Sequence, residues 1–139
     1  MMTQILLDTG VLVALLSKAD RFHQWAVATV TPVTAPLLTC EAVITEACFL
    51  LQRDSRSQDA VLSLINRGAV QIPFCLSDDV QAIEELVARY ENVPMSLADA
   101  CLVRMTEQYP KSRILTLDSD FRVYRKHRNQ EIPVIMPEK

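Results

Sequence analysis

Short apolar runs alternate with longer amphipathic stretches along nearly the whole chain, and this alternation limits the fold more than any other feature. Strand-like runs fall at Thr3–Leu7, Val33–Ala35, Ala69–Ile72, Arg113–Leu117 and Val134–Ile135. Helical spacing fills Gly10–Ser17, Arg21–Val30, Thr39–Arg53, Ser57–Asn66, Asp78–Tyr90 and Leu97–Gln108, with a break at Asp54–Ser55. Ser77 and Ser96 stand where N-caps are expected. A strand that feeds a helix returns parallel to its neighbour, and the helices cover the faces of the sheet. The sequence therefore predicts an α/β fold, a three-layer α/β/α sandwich around a central parallel sheet. With 139 residues and no linker or repeat, it reads as one domain over 1–139.

Hydrophobic residues make up 50% of the chain, yet no apolar run approaches the roughly 20 residues that span a bilayer. No basic residue precedes the first apolar stretch, so no signal peptide is expected and the sequence predicts a cytoplasmic protein without a membrane partner. Cys40, Cys48, Cys75 and Cys101 form no Cys-x-x-Cys pair, and His23 and His127 are the only histidines, which argues against zinc. Each cysteine lies among apolar neighbours and reads as a small hydrophobe. A net charge of −3 argues against nucleic-acid binding by bulk electrostatics. It leaves room for an acidic cleft neutralised by a metal ion.

Ligands in open parallel sheets sit beyond the carboxyl ends of the strands. Asp8 ends the first strand and Asp118 ends the Arg113–Leu117 strand, so both are expected at one sheet edge. Each has a structural alternative: Asp8 as an N-cap, Asp118 or Asp120 as the cap of a turn. An aspartyl-phosphate enzyme of the haloacid dehalogenase type wants a second aspartate two residues after the first, where this chain has Gly10. Glu46 has Ala42, Val43, Phe49 and Leu50 at helical spacing, which predicts a carboxylate inside a buried stripe. A buried ion pair is the alternative, although no basic residue precedes position 53 in that helix. Asp99 lies in Ser96-Leu97-Ala98-Asp99, a capping-box pattern that also places its charge at a helix N-terminus. Carboxylates gathered at one edge repel, and a hard cation such as Mg²⁺ or Mn²⁺ is the usual remedy.

Four segments carry a likeness to a known family: Leu6-Leu7-Asp8-Thr9, Thr39 through Glu46 to Leu51, Pro94–Ala100, and Ile114–Phe121, followed by Val123-Tyr124-Arg125. Together they resemble the PIN-domain family, most closely its VapC-type toxin branch. The resemblance implies a metal-dependent endoribonuclease with Asp8, Glu46, Asp99 and Asp118 as its acidic site. Mg²⁺ is the implied cofactor, with Mn²⁺ able to substitute. Asp8, Asp99 and Asp118 would ligate metal directly, and Glu46 would ligate it or orient a water. Thr116 matches a position where the family often has a hydroxyl near the site, with Thr9 and Asp120 expected beside it. The branch implies a cognate antitoxin partner and a homodimer.

Arg113, Arg122, Arg125, Lys126, His127 and Arg128 concentrate late in the chain. Arg122, Arg125 and Lys126 are the candidates to hold RNA phosphates; the alternative is a solvated helix face. Phe22 and Trp25 read as core, or as a groove for a partner. A non-catalytic RNA- or protein-binding module on the same fold is the rival to the nuclease. A flap-type DNA nuclease ranks below both, because the chain lacks room for DNA-gripping additions.

Overall fold

The computed structural model describes residues 3–53 and 55–138; Met1, Met2, Asp54 and Lys139 lie outside them. β1 (Gln4–Leu7) leads into α1 (Thr9–Leu16) and α2 (His23–Val30), then β2 (Leu37–Leu38), α3 (Glu41–Leu50) and α4 (Ser55–Asn66). β3 (Val70–Gln71) precedes α5 (Val80–Arg89) and α6 (Leu97–Gln108), and β4 (Ser112–Leu115) follows. A hairpin of β5 (Arg125–Lys126) and β6 (Gln130–Glu131) comes before β7 (Val134–Ile135). The sheet order is β3-β2-β1-β4-β7, all parallel, as expected of the α/β/α class. α1 packs with α2, α3 and α4, while α5 packs with α6.

The connection order creates the place where a site belongs. From β1 the chain steps outward to β2 and β3, then returns to lay β4 on the other side of β1. This reversal opens a crevice beyond the carboxyl ends of β1 and β4. The pairs Gln4↔Ser112 through Leu7↔Leu115 align the two strands, and the Asp8 N–H donates to the Leu115 carbonyl at 3.1 Å. Leu6, Leu7, Ile114 and Leu115 are fully buried, which is why these segments read as continuous apolar runs rather than alternating ones.

Three expected elements differ. The second strand is Leu37–Leu38, after Pro36, rather than Val33–Ala35. The Val33 N–H instead bonds back to the Val30 carbonyl, closing the end of α2. Ser77 does not cap α5: a short 3-10 turn occupies Leu76–Asp78, and α5 starts at Val80. Asp79, at the cap position, makes no capping bond because its carboxylate is held by Arg104 at 2.9 Å and Gln108 at 3.0 Å. The late basic stretch is a hairpin and not a helix face, turning through His127 (φ 48°) and Arg128 (φ 73°). Side chains at left-handed φ are uncommon, so no local signal announced this turn. Of the expected break at Asp54–Ser55, Asp54 lies outside the described residues and Ser55 opens α4.

Phe22 and Trp25 are half-buried against the core. Cys40 and Cys101 are buried, but Cys75 is exposed, contrary to the expectation for every cysteine. Among the described residues no helix is long and apolar enough to cross a membrane.

Candidate metal site

Asp8 and Asp118 meet at the crevice because β1 and β4 are neighbours, and one hydroxyl joins them. Thr116 Oγ1 donates to Asp8 Oδ2 at 2.6 Å and accepts the Asp118 N–H at 2.9 Å. Thr116 is fully buried, just past the end of β4, so its side chain sets the spacing of both aspartates. Asp8 is 6% exposed. Its Oδ1 accepts the Thr9 N–H at 2.8 Å at the start of α1, so the expected capping role is real and coexists with a place in the crevice. Asp118 Oδ1 accepts the Asp120 N–H at 2.9 Å and caps a 3-10 turn over Ser119–Arg122. Asp120 thus supports Asp118 through its backbone.

Asp99 arrives on α6, which packs with α5 and also with α3. Ser96 Oγ accepts the Asp99 N–H at 3.0 Å, and Asp99 Oδ2 accepts the Ser96 N–H at 3.1 Å, a complete capping box. Asp99 Oδ1 has no protein donor among the described residues. The Tyr124 hydroxyl, which donates to the Pro94 carbonyl, lies 3.5 Å from Asp99 Oδ2.

Glu46 requires a correction. It is exposed, and so are Phe49 (65%) and Leu50 (59%), its neighbours one turn on. The buried positions of α3 are Val43 and Ala47. Helical spacing cannot tell an apolar face turned to the core from one left open beside a cavity. Glu46 makes no ion pair among the described residues, and it does reach the crevice: one cavity of about 590 Å³ is lined by Asp8, Glu46, Asp99 and Asp118. Leu50, Ser96 and Ser119 also line it; the sequence marked Ser96 only as an N-cap and gave Leu50 and Ser119 no role in the site.

Burial first, and like charge second, raise the carboxyls of this site. Burial pushes the Asp8 carboxyl up to about 6, against the lowering effect of the Thr116 and Thr9 hydrogen bonds, and Asp99 and Asp118 raise it further. Asp99 is raised by burial first, with Asp118 adding to it and the Ser96 bonds opposing. Glu46 is raised by partial desolvation at the cavity wall, then by Asp99. These acids hold ionised oxygens together only at a cost.

The donor set is all oxygen, which suits a hard divalent cation. The Thr9 hydroxyl adds an independent sign. Thr9 lines the cavity, and its buried hydroxyl makes no hydrogen bond among the described residues, which leaves it without a partner beside the acids. Among the described residues no three His, Cys, Asp or Glu side chains already stand in ligating geometry. The residues fit a metal by chemistry, and their final approach requires side-chain adjustment.

The PIN domain family model matches residues 5–127. The chain belongs to the PIN domain family. No curated protein matches it at a significant level. Among solved structures, the toxin VapC20 of Mycobacterium tuberculosis, described as cleaving the Sarcin-Ricin loop, has a TM-score of 0.76 with this chain. The match covers 84% of this chain and 92% of VapC20 at 20% identity, a likeness of fold.

The basic residues of this PIN domain divide. Arg122 is exposed. Arg125 folds its Nη1 onto its own backbone, 2.7 Å from the Arg122 carbonyl. Lys126 is only 9% exposed, with Nζ turned to the Pro110 carbonyl at 3.5 Å. Pro110 precedes β4, whereas the acids lie past the other end of that strand, so Lys126 is withdrawn from the crevice. The expectation that Lys126 grips phosphate is thereby corrected.

Proposed function

We propose that this chain is a metal-dependent endoribonuclease that hydrolyses RNA phosphodiester bonds and serves as the toxin of a toxin–antitoxin pair. The observation that carries the reading is the single cavity lined by Asp8, Glu46, Asp99 and Asp118 at the reversal of the sheet. The family and the likeness of fold to a Sarcin-Ricin loop cleaving toxin support it.

Asp8, Asp99 and Asp118 would hold Mg²⁺, or Mn²⁺ in its place, with Glu46 ligating from the open wall or directing a water. When bound, such an ion supplies Lewis acidity that activates water for attack on phosphorus and offsets charge on the leaving oxygen. Thr116 keeps Asp8 and Asp118 in register, and the Ser96 capping box fixes Asp99. Glu46 has no donor among the described residues, so its carboxylate is available to take the proton of the attacking water. In-line attack then leaves a 3′-hydroxyl and a 5′-phosphate. Exposed Leu50 on the cavity wall, with exposed Phe49 preceding it in α3, gives a cognate antitoxin, or a second copy, apolar surface to cover. A cytoplasmic location accords with an RNA target.

The test incubates purified chain with single-stranded RNA in Mg²⁺, Mn²⁺ or EDTA. Cleavage in either metal, lost in EDTA and in Asp118→Asn, is expected. Mn²⁺ should also raise the melting temperature. The rival reading is a non-catalytic binding module on the same fold. RNA binding with neither cleavage nor a metal-linked shift would select it.

Thr116→Val is expected to slow cleavage about 10–100-fold, the range seen when a group that orients metal ligands is lost. Thr116→Ser, which keeps the hydroxyl, should remain within severalfold of the unaltered chain. Initial rates on a labelled RNA decide it. Equal rates for Val and Ser would show that the hydroxyl does not set the two aspartates.

A further inference from the structure

A second cavity, about 740 Å³, adjoins the acidic one and shares Leu117 and Ser119 with it. Ser119 immediately follows Asp118, so a chain lying across the acids is led directly into this space. Its walls come from distant parts of the sequence: Arg21 and Phe22 from the α1–α2 connection, Arg122 from the 3-10 turn, and Met136 from the segment after β7.

The Arg21 guanidinium carbon lies over the Phe22 ring, 5.1 Å from its centroid, in cation–π contact. Their turn is preformed. Asp20 Oδ1 accepts the Phe22 N–H at 2.9 Å, and the Asp20 carbonyl accepts the His23 N–H at 3.0 Å. Phe22 itself is half-buried against the core. Neither Arg21 nor Arg122 makes an ion pair among the described residues. Glu138, which also lines the cavity, offsets one of the two positive charges.

We propose that this cavity holds one unpaired nucleotide of a single-stranded RNA, next to the phosphate at the acids, with its base stacked on Arg21–Phe22 and its phosphate at Arg122. The inference rests on the ribonuclease reading and names how that site grips its substrate. A volume within the roughly 300–1,000 Å³ of small-ligand sites admits a nucleotide. Flat aromatic and guanidinium faces are what unstacked bases use, and they tolerate any base. This grip also explains how a chain of net charge −3 can hold RNA: the positive charge is local, beside the metal-binding acids.

Fluorescence anisotropy with a labelled single-stranded oligoribonucleotide tests it, using Ca²⁺ in place of Mg²⁺ so that binding is read without cleavage. Arg122→Gln should make the slope of log K against log salt shallower by about 0.7, the value for one phosphate contact on a single strand. Arg21→Gln should weaken binding about fivefold or more, as expected for a lost base stack. The double variant should lose at least about tenfold, with an unchanged melting temperature because both side chains are exposed. Affinity and slope equal to the unaltered chain in both variants overturn the proposal and point to a protein segment as occupant. Absence of RNA binding by the unaltered chain overturns it as well. Binding that falls in the variants, in a chain that cuts no RNA, supports the groove while sinking the nuclease reading. Cleavage with undiminished binding in both variants does the reverse.

Discussion

Asp8→Asn is expected to abolish cleavage and, at the same time, to stabilise the metal-free protein. The first effect should be at least about a thousandfold, or roughly 4 kcal/mol at 1.36 kcal/mol per decade, because the most buried member of the acidic set would lose its charge. The second follows from what that charge costs the fold. The Asp8 carboxyl titrates near 6 in the folded chain against an ordinary 3.8, with burial as the leading cause. Between those values the folded state keeps a proton that the unfolded chain releases, so stability falls as pH rises through this window. Above about pH 6 the penalty is complete, on the order of 3 kcal/mol for a rise from 3.8 to about 6.

An amide at position 8 never ionises, and the Thr116 hydroxyl can still pair with it. Thermal melts in EDTA should therefore show the Asn variant several degrees above the unaltered chain at about pH 7.5. The two should converge near about pH 4, where the native carboxyl is protonated. Added Mn²⁺ should close the gap at pH 7.5 by stabilising the unaltered chain more than the variant. A variant that melts lower than the unaltered chain at both pH values would mean that Asp8 is a structural cap and nothing more.

The same residue shows how far the sequence could be read. Strand–helix alternation sufficed for the parallel sheet, because buried parallel strands announce themselves as apolar runs and their connections must be long. It also located Asp8 and Asp118 at one edge, since both follow such runs. Asp99 was legible as a cap, and the capping box is indeed present. What the pattern could not convey was that capping and lining the cavity are compatible, one oxygen serving each. Glu46 was legible for the wrong reason. Its apolar neighbours predicted burial, whereas Phe49 and Leu50 are exposed, and Leu50 lines the crevice. Arg21 was invisible as a binding residue, because only the packing of α2 against α1 carries it to a wall shared with Arg122, about a hundred positions later. Lys126 failed for the converse reason: closeness in sequence to Asp118 did not survive the hairpin turn.

Tyr124→Ala is expected to be the most destabilising single change near the site, by about 3–5 kcal/mol, as for other large aromatics truncated in a core. The ring is fully buried. It stands edge-on to Tyr90 at 5.1 Å and 69°, and to Phe121 at 5.4 Å and 89°. Phe121 belongs to the turn capped by Asp118, Tyr90 ends α5, and the Tyr124 hydroxyl reaches the Pro94 carbonyl just ahead of the Ser96 capping box. One side chain thus ties the elements that present Asp118 and Asp99, which belong to different parts of the fold. Tyr124→Phe separates this packing from its hydrogen bond. It keeps both ring contacts and should cost only about 1 kcal/mol, the net worth of one bond to a carbonyl on a partly solvated loop. Urea denaturation of the two variants measures both figures. A Phe variant as unstable as the Ala variant would shift the weight from the aromatic cluster to the Pro94 bond. If Phe retains stability but loses cleavage, the hydroxyl matters to Asp99 itself, whose Oδ2 it approaches at 3.5 Å.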